Sequence, residues 1–342
     1  MWIHRSAAFI FMKEQEPFND TSYYSRYKER LVVTLPLSTR YVNFEFKDKS
    51  SSSVLKYSPN NLYDLGISVN TKLMSFFLNT GATLLDNDQG IKGKTNYKDF
   101  QFNVYGKKST IDFSLQTYNG FYINNSTSFN SYDASQKPYE IRPDISVVSL
   151  GFNYYYVSNY RKFSYRGSFA FTECQKKSAG SLLTGGYFSI FSMTADSNLV
   201  SKSFTPYFDP LTNIKTGSVL NYGLNVGYIY TFVIRRKFHA TISLVQGLGV
   251  DLTSGTKEDD SKVESKSNLS SKQNLRIALG YDRGNFFYGI MGMFDFYYFD
   301  NKERATFNYS YGKFRLFAGY RFNMTGKKKK VFRKLNLIDY RL

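Results

Sequence analysis

The stretch DRGNFFYGIMGMFDFYYFDNK, residues 282–302, decides the fold class of this chain. Its even positions from Phe286 to Tyr298 are apolar or aromatic apart from one glycine, whereas its odd positions include a glycine, two methionines and Asp295. Successive side chains of a β-strand point to opposite faces, so this alternation predicts a strand with one apolar face. A helix would instead bury Asp295 in an apolar cylinder without a partner, which is costly.

The same period of two recurs along most of the chain. Apolar and polar residues alternate, for example, over 111–116, 148–156, 163–172, 222–231, 275–282 and 314–322. These patterns predict fourteen strands, with twelve as the fallback, because bacterial single-chain barrels have even counts. The expected strands are 29–46, 53–70, 73–82, 96–105, 109–118, 144–157, 162–174, 182–193, 196–204, 218–231, 236–249, 272–282, 285–298 and 305–322.

Two features favour a barrel in lipid over a soluble sandwich. Many apolar faces end in Tyr or Phe, as at Tyr222 and Tyr230, which is typical of the aromatic girdles of outer-membrane barrels. Predicted connections also alternate between short and long. Short ones fall near 71–72, 106–108, 158–161, 232–236 and 283–284, and long ones near 83–95, 119–143, 205–217 and 250–271. The expected fold is therefore all-β: a single antiparallel transmembrane β-barrel with short periplasmic turns and long outer loops.

The composition limits which partners, disulfides and metal sites we expect. The 342 residues carry a formal net charge of +18, which fits anionic partners such as lipid phosphates. One cysteine, Cys174, excludes an intrachain disulfide, and the presence of only two histidines argues against a histidine-rich metal centre. We expect no metal site and no cofactor.

Three segments are expected along the chain. Residues 1–28 form an N-terminal segment in which a short apolar run resembles the remnant of a signal peptide, although a disordered start explains it equally well. Residues 29–322 form the barrel as one closed domain, because splitting it would expose sheet edges to lipid. Residues 323–342 form a basic tail that could touch anionic lipid groups or stay in solvent.

Several charged residues fall on the polar faces of the expected strands. Charges on a lipid face near the midplane cost roughly 2–4 kcal/mol, so these side chains should face the lumen and pair there. These candidate lumen charges are Arg166, Arg276, Asp282, Asp295, Arg315 and Arg321.

Two motifs resemble catalytic or nucleotide-binding signatures without meeting their requirements. GIKGKT (90–95) lacks the first glycine of a phosphate loop, since that position is Asp88. His239 shares a strand face with Ser243, but four strand residues span about 13 Å, too far for a base to reach its nucleophile. We expect an outer loop and a polar wall residue, and we identify no catalytic residue.

The order of several segments resembles a family of Bacteroidota outer-membrane barrels, number 4421 in the domain-of-unknown-function series. The segments are DTSYYSRY (20–27), KYSPNNLYDLGISV (56–69), GKTNYKDFQFNVYGKK (93–108), YNGFYI (118–123), a long block at 142–186 and GYRF (319–322). The resemblance implies an outer-membrane β-barrel and brings no established activity. The weak signal peptide and the tail beyond Phe322 depart from the expected pattern.

QKKSAGS (175–181) is the most specific element of that resemblance. We expect it at the outer rim, between two strands. Lys176, Lys177 and Ser178 could bind an anionic group of lipopolysaccharide or a glycan there, or the segment could simply form a tight loop.

These patterns together predict a protein of the cell outer membrane with a non-enzymatic role as a pore, binding or structural protein. The alternative is a membrane-embedded lipid hydrolase or acyltransferase, and the third possibility is a soluble all-β glycan-binding protein. The expected partners are outer-membrane lipid, lipopolysaccharide phosphates and the outer-membrane assembly machinery. Nucleic acid is not expected, because the chain shows no basic groove interleaved with aromatics.

Overall fold

The computed structural model describes residues 19–27, 29–60, 62–72, 74–83, 88–135, 137–209, 213–299, 305–326 and 329–331. Two short helices, α1 (Gln89–Lys92) and α2 (Tyr165–Phe169), lie in connections between strands. The strands of this part of the chain are β1 (Tyr24–Arg26), β2 (Arg30–Asp48), β3 (Val54–Ser58), β4 (Leu62–Asn70), β5 (Met74–Thr83), β6 (Asn96–Tyr105), β7 (Ser109–Ile123), β8 (Glu140–Val157), β9 (Glu173–Gln175), β10 (Ala179–Thr194), β11 (Thr216–Ile234), β12 (Phe238–Thr256), β13 (Lys262–Arg283), β14 (Phe286–Phe299) and β15 (Ala305–Asn323).

An antiparallel sheet closes on itself as a ring. Each strand pairs with the next in the order β2, β4, β5, β6, β7, β8 and β10 to β15, and β15 pairs back onto β2 from Ala305 opposite Asp48 to Asn323 opposite Arg30. The short β3 precedes β4 in the chain and bridges β2 to β7. The predicted single antiparallel β-barrel is confirmed: twelve of the described strands close the ring, and β3 is a thirteenth, short strand of the same sheet.

The pleat of the sheet separates two surfaces. In β15, Lys313 and Arg321 are buried inside the ring, whereas Leu316 and Tyr320 between them are exposed outside it. Closure puts every second side chain in the interior and leaves the others on the outer wall. The alternation that predicts the strands therefore also predicts which residues line the lumen.

The two ends of the barrel differ. One end, here the short-turn end, carries the connections 71–73, 106–108, 235–237 and 284–285. The opposite, long-loop end carries longer connections, whose described parts are 88–95, 124–135, 137–139, 195–209 and 213–215. The expected loop 250–271 is instead mostly strand, because β12 and β13 stay paired through Leu252 and Leu269 and continue as a ribbon as far as Thr256 and Lys262.

Two expected strands are wrong. Residues 162–174 do not join the ring: Ser164 accepts a hydrogen bond from the Gly167 amide and caps α2, and Phe171 is left-handed with φ 57°. The whole connection 158–178, here the inserted segment, replaces the expected short link at 158–161 and ends in β9, which pairs with β1. Its aromatic residues alternate because they pack inside the barrel, where Phe163 and Phe171 are buried.

Residues 196–204 form no strand either. They cross the long-loop end, where Leu199 and Phe204 are buried in an aromatic cluster. That cluster, here the aromatic cap, also includes Phe44, Tyr57 and Phe191 from the barrel wall. The apolar residues of 196–204 therefore serve a core rather than a lipid face.

No helix within the described ranges is long and apolar enough to cross a membrane. The possible signal remnant lies outside the described residues, which begin at 19, and so does most of the basic tail, of which only 323–326 and 329–331 are described.

Candidate functional site

The lumen holds the polar groups that the sequence singles out. Arg276 and Asp282 point inward from β13, Asp295 from β14, and Arg315 and Arg321 from β15. Four of these five are buried, and Arg315 is partly accessible. Arg166 is also buried inside the barrel, but on α2 of the inserted segment rather than on a strand.

A group of five charges, here the central cluster, crosses the middle of the lumen. It consists of Arg40, Asp64, Asp99, Lys313 and Arg315. Arg40 Nη2 lies 3.0 Å from Asp64 Oδ2, and Arg40 also contacts Asp99. Lys313 Nζ lies 3.4 Å from the same Asp99 oxygen. Strands β2, β4, β6 and β15 thus meet across the lumen, and three cations face two carboxylates.

Arg315 differs from the other two cations of the central cluster. Its Nη2 donates to Gln101 Oε1 at 2.8 Å, and its guanidinium lies 4.2 Å from the centre of the Phe77 ring. Its Nε, like that of Arg40, is buried without a hydrogen-bond partner among the described residues. The arrangement leaves one positive charge in the barrel without a matching carboxylate.

A second group of charges lies beside the central cluster and is balanced. Arg276 Nη2 lies 2.7 Å from Asp112, and Lys272 Nζ lies 3.2 Å from Asp295. Arg276 also donates to the hydroxyl of Tyr165, on the inserted segment, at 2.6 Å. Because each cation here is paired with its own carboxylate, we interpret this group as a structural network that links the wall to the inserted segment.

The inserted segment is fixed at the short-turn end by further ion pairs. Arg321 donates to both carboxylate oxygens of Asp282, at 2.9 and 2.8 Å, and its Nε donates to the Phe171 carbonyl at 2.9 Å. Tyr27 donates to Asp282 at 3.0 Å, and burial raises the pKa of this phenol. The N-terminal residues and the inserted segment therefore share one anchor on the barrel wall.

Glu173 provides a second anchor. It accepts from Arg166 Nη1 at 3.2 Å and from Arg26 Nε at 3.1 Å. Arg166 also donates to the Gly106 carbonyl at 2.9 Å, which ties the segment to the β6–β7 turn. Burial raises the pKa of the neighbouring Cys174 thiol, so the neutral thiol is favoured.

The long-loop end is closed by the aromatic cap. The hydroxyl of Tyr57 donates to the Leu199 carbonyl at 2.7 Å, and Arg142 donates to the same oxygen at 2.7 Å. Phe44 stacks on Tyr57 with ring centres 4.5 Å apart. Wall and loop thus form one packed layer within the described part of this end.

The QKKSAGS segment lies at the short-turn end, so its expected position at the rim with the long loops is wrong. Lys176 donates its amide to the Tyr23 carbonyl at 2.6 Å and its Nζ to the Thr21 carbonyl at 2.9 Å. The Lys177 amide shares the Tyr23 carbonyl, and Ser178 Oγ accepts from the Val233 amide at 2.9 Å. The pairing of β9 with β1 draws the segment inward and to this end.

His239 Nε2 lies 2.9 Å from the Gln175 carbonyl oxygen, again on the inserted segment. Thr241, on the same face, bonds Thr231 at 2.7 Å across the strand pair. GIKGKT begins within α1 and passes through Gly93, whose φ is 76°. Among the described residues, no three His, Cys, Asp or Glu side chains are grouped to hold a metal ion.

A cavity lies inside the barrel, bounded by strand residues and by two rings of the inserted segment. Its polar lining includes Arg276, Arg315, Asn70 and Asn103, and its apolar lining includes Phe77, Phe169, Phe171, Met291, Met293 and Phe317. This cavity and the central cluster form the candidate site.

Sequence reasoning misses six of the nine charges in these two lumen groups. Arg40, Asp64, Asp99, Asp112, Lys272 and Lys313 are all inward-facing strand residues. Asp64 and Asp112 each stand between outward apolar neighbours, so the alternation indicates their inward direction. Lys272 stands between Ser271 and Gln273, where the alternation gives no such signal. Their pairing could not be predicted, because it depends on which strands face each other across the lumen.

Comparison with known proteins gives a family and a set of distant folds. A family model described as a domain of unknown function, DUF4421, matches residues 18–322. No curated protein matches the sequence significantly. Solved structures with a similar trace include the outer membrane protease OmpT from Escherichia coli, with TM-score 0.35 and 9% identity over 87% of this chain and 98% of that chain.

Two further solved structures are distantly similar. The β domain of the Bordetella autotransporter BrkA gives TM-score 0.35 and 9% identity over 85% of this chain and 100% of that chain. The Pseudomonas putida toluene transporter TodX gives TM-score 0.26 and 8% identity over 93% of each chain. Likenesses at these TM-scores carry no inference about what this chain does.

Proposed function

We propose that this chain, which belongs to the DUF4421 family, is an outer-membrane β-barrel with a closed lumen and a non-enzymatic binding or structural role. The observation that carries the proposal is the pairing of an apolar outer wall with a charged, filled interior.

The outer wall supports membrane residence. Leu224 and Leu269 are each 77% exposed, and Leu248 is 67% exposed, all on the outward face of adjoining strands. Soluble monomers rarely expose contiguous apolar patches larger than a few hundred Å². A wall of this kind is stable when hydrocarbon, rather than water, surrounds it.

Both edges of the apolar wall also support membrane residence. Towards the short-turn end, Phe238, Tyr281 and Tyr288 form an outward row with ring centres 4.8 and 5.3 Å apart. Such rings suit the boundary between lipid and water. Towards the long-loop end, the outward residues of β2 change from Leu35 and Leu37 to polar Glu45 and Lys47.

The height of the wall fits a bilayer. In β15 the outward apolar run extends from Phe314 to Phe322. Eight residue steps of about 3.3 Å, tilted by roughly 40°, span about 20 Å, close to the apolar band of roughly 25 Å in outer-membrane barrels. By the usual orientation of such barrels, the short-turn end faces the periplasm and the long loops face outward.

The interior supports a closed barrel rather than an open pore. The aromatic cap, the central cluster and the inserted segment occupy successive levels of the lumen. Open porins instead keep a water-filled channel. A lumen held by buried ion pairs on this scale fits a protein that binds a small ligand inside or that supports the membrane mechanically.

The proposal of a non-enzymatic role rests on the hydrogen bond that His239 makes. Its Nε2 is engaged with a backbone carbonyl of the inserted segment, which gives it an anchoring role.

With the short-turn end in the periplasm, Lys176 and Lys177 lie on the periplasmic side, where periplasmic anions, rather than lipopolysaccharide, would be their partners.

Two measurements on the purified protein test the proposal. The folded chain should require detergent for solubility, and its gel migration should shift on heating. In planar bilayers, the wild-type chain should show no steady porin-like conductance. Solubility without detergent would refute membrane residence, and a stable open conductance would refute the closed lumen.

A further inference from the structure

The turn between β11 and β12 carries three consecutive cations, Arg235, Arg236 and Lys237, here the basic tip. All three residues are exposed at the short-turn end. Among the described residues, none of the three side chains forms an ion pair or a hydrogen bond. The basic tip is therefore a concentrated positive charge that the described part of the chain leaves without a counter-charge.

The acid that the backbone brings to the basic tip is already neutralised. The Asp282 amide donates to the Lys237 carbonyl at 2.8 Å, but the Asp282 carboxylate is held by two nitrogens of Arg321. At the opposite end of β12, the connection 257–261 has the reverse charge, because residues 258–260 are all acids. The two ends of this strand therefore carry opposite charges, and the positive one lies at the short-turn end.

The backbone of the basic tip is unfavourable for arginine. The Lys237 amide donates to the Ile234 carbonyl at 3.2 Å, which closes a tight turn around Arg235 and Arg236. Both central residues are left-handed, with φ 51° and 57°. Hairpin turns with two left-handed residues favour Asn-Gly, because the side chains of other residues crowd the backbone in this conformation. Two arginines in such a turn indicate a role outside folding, since strain of this kind is retained at functional sites.

The basic tip lies at the edge of the apolar outer wall. Ile234, directly before it, and Phe238, directly after it, point outward and are 56% and 48% exposed. Phe238 begins the outward aromatic row that continues through Tyr281 and Tyr288. Such rings sit at the level of the lipid headgroups. The three cations, which come next along the chain, are therefore at the level of the lipid phosphates.

We propose that the basic tip binds the phosphate group of an anionic phospholipid in the leaflet at the short-turn end. Arg235 and Arg236 donate to the phosphate oxygens, because a planar guanidinium matches phosphate with paired hydrogen bonds. The acyl chains lie along the aromatic row that begins at Phe238. A soluble polyanion would leave that row without contacts, so the wall favours a lipid. The inference rests on the proposed function, since it requires the outer wall to be in a membrane.

The experiment titrates the protein, purified in a neutral detergent, with dioleoylphosphatidylglycerol or with zwitterionic dioleoylphosphatidylcholine. Native mass spectrometry gives the dissociation constant of the first bound lipid. Wild type should bind phosphatidylglycerol roughly tenfold more tightly than phosphatidylcholine, because each exposed cation beside an anionic headgroup adds attraction. Glycerophosphoglycerol, the same headgroup without acyl chains, should bind roughly tenfold more weakly than phosphatidylglycerol, because it makes no contact with the aromatic row.

A double variant separates lipid binding from folding. Arg235→Asn with Arg236→Gly removes both guanidiniums and places the favoured residues in the turn. It should fold at least as stably as wild type, and its preference for phosphatidylglycerol should fall to about twofold or less. The matched control, Lys202→Gln with Lys262→Gln, removes the same charge from exposed residues at the long-loop end and should bind both lipids as wild type does.

Four results would overturn the site: equal binding of the two lipids by wild type, an undiminished preference in the Asn-Gly variant, an equal loss in the control, or equally tight binding of glycerophosphoglycerol. Displacement of bound phosphatidylglycerol by poly-glutamate at equal charge would also overturn it, in favour of a soluble acidic partner. A heat-modifiable barrel without lipid preference would remove this site and leave the proposed membrane barrel standing. A chain soluble without detergent would instead remove the barrel proposal itself.

Discussion

Arg321 and Asp282 form a doubly hydrogen-bonded ion pair inside the barrel, with donor–acceptor distances of 2.9 and 2.8 Å. Arg321 lies on β15 and Asp282 on β13, with β14 between them. The same guanidinium donates to the Phe171 carbonyl, and the same carboxylate accepts from Tyr27. One pair thus holds the wall, the inserted segment and the N-terminal residues together.

Arg321→Gln should lower the free energy of unfolding by about 3–5 kcal/mol, because it leaves the Asp282 carboxylate buried without its cation. Urea titration in lipid vesicles measures this, with exposed Arg283→Gln as the matched control. The double variant Arg321→Gln with Asp282→Asn should recover part of the loss. Equal stability of Arg321→Gln and wild type would show that the pair does not anchor the segment.

Replacing either of two arginines of the central cluster by glutamine should change the stability of the barrel differently. Arg40→Gln should destabilise the barrel by about 3 kcal/mol, because Arg40 contacts both Asp64 and Asp99. Arg315→Gln should leave stability unchanged or raise it, because it removes the excess positive charge and the orphaned Nε. The same urea titration compares the two, and a larger loss for Arg315→Gln than for Arg40→Gln would contradict this distribution of charge.

The lipid-facing wall should reject charge according to depth. Val226 is 54% exposed on the outward face of β11, within the apolar wall. Val226→Arg should cost about 2–4 kcal/mol, the penalty for arginine near the midplane of a barrel. Ser254→Arg, on the outward face of β12 nearer the long-loop end, should cost about 1 kcal/mol or less. Similar costs at the two positions would argue that water surrounds both.

Cys174 reports on the docking of the inserted segment through its titration. Burial raises the pKa of this thiol, so at a given pH the folded protein holds less thiolate than the unfolded chain. Alkylation by iodoacetamide should therefore be slower in the folded protein and should still be rising with pH after the rate in urea has levelled off. Matching pH profiles in both states would mean that the segment does not shield Cys174.

Sequence alternation predicts the barrel well where one face meets an apolar phase and the other does not. Expected strand 218–231 corresponds to β11 at Thr216–Ile234, because its outward residues are apolar over nearly the whole length. The pattern fails within 250–271 beyond Leu252 and Leu269, where β12 and β13 rise past the apolar wall and the sequence is mostly polar. The backbones of the two strands remain paired there, but no alternation of apolar and polar residues predicts that pairing.

The inserted segment shows the opposite failure. Phe163, Tyr165, Phe169 and Phe171 alternate as a lipid-facing strand would, yet they pack against the interior of the barrel. Periodicity reveals that one side of a segment is apolar and does not reveal what that side contacts. Arg166 was expected in the lumen on the strength of this pattern and lies inside the barrel on a helix. The partners of Arg315 and Asp99 likewise depend on distances across the lumen, which the local sequence does not contain.

The most direct test of the account measures what surrounds the outer wall. A nitroxide label at Leu224→Cys, in a Cys174→Ser background and in lipid bilayers, should relax strongly with oxygen and weakly with a water-soluble nickel complex. The same label at Ser254→Cys should show the reverse. A label at position 224 that meets the nickel complex as freely as the label at 254 would contradict membrane residence.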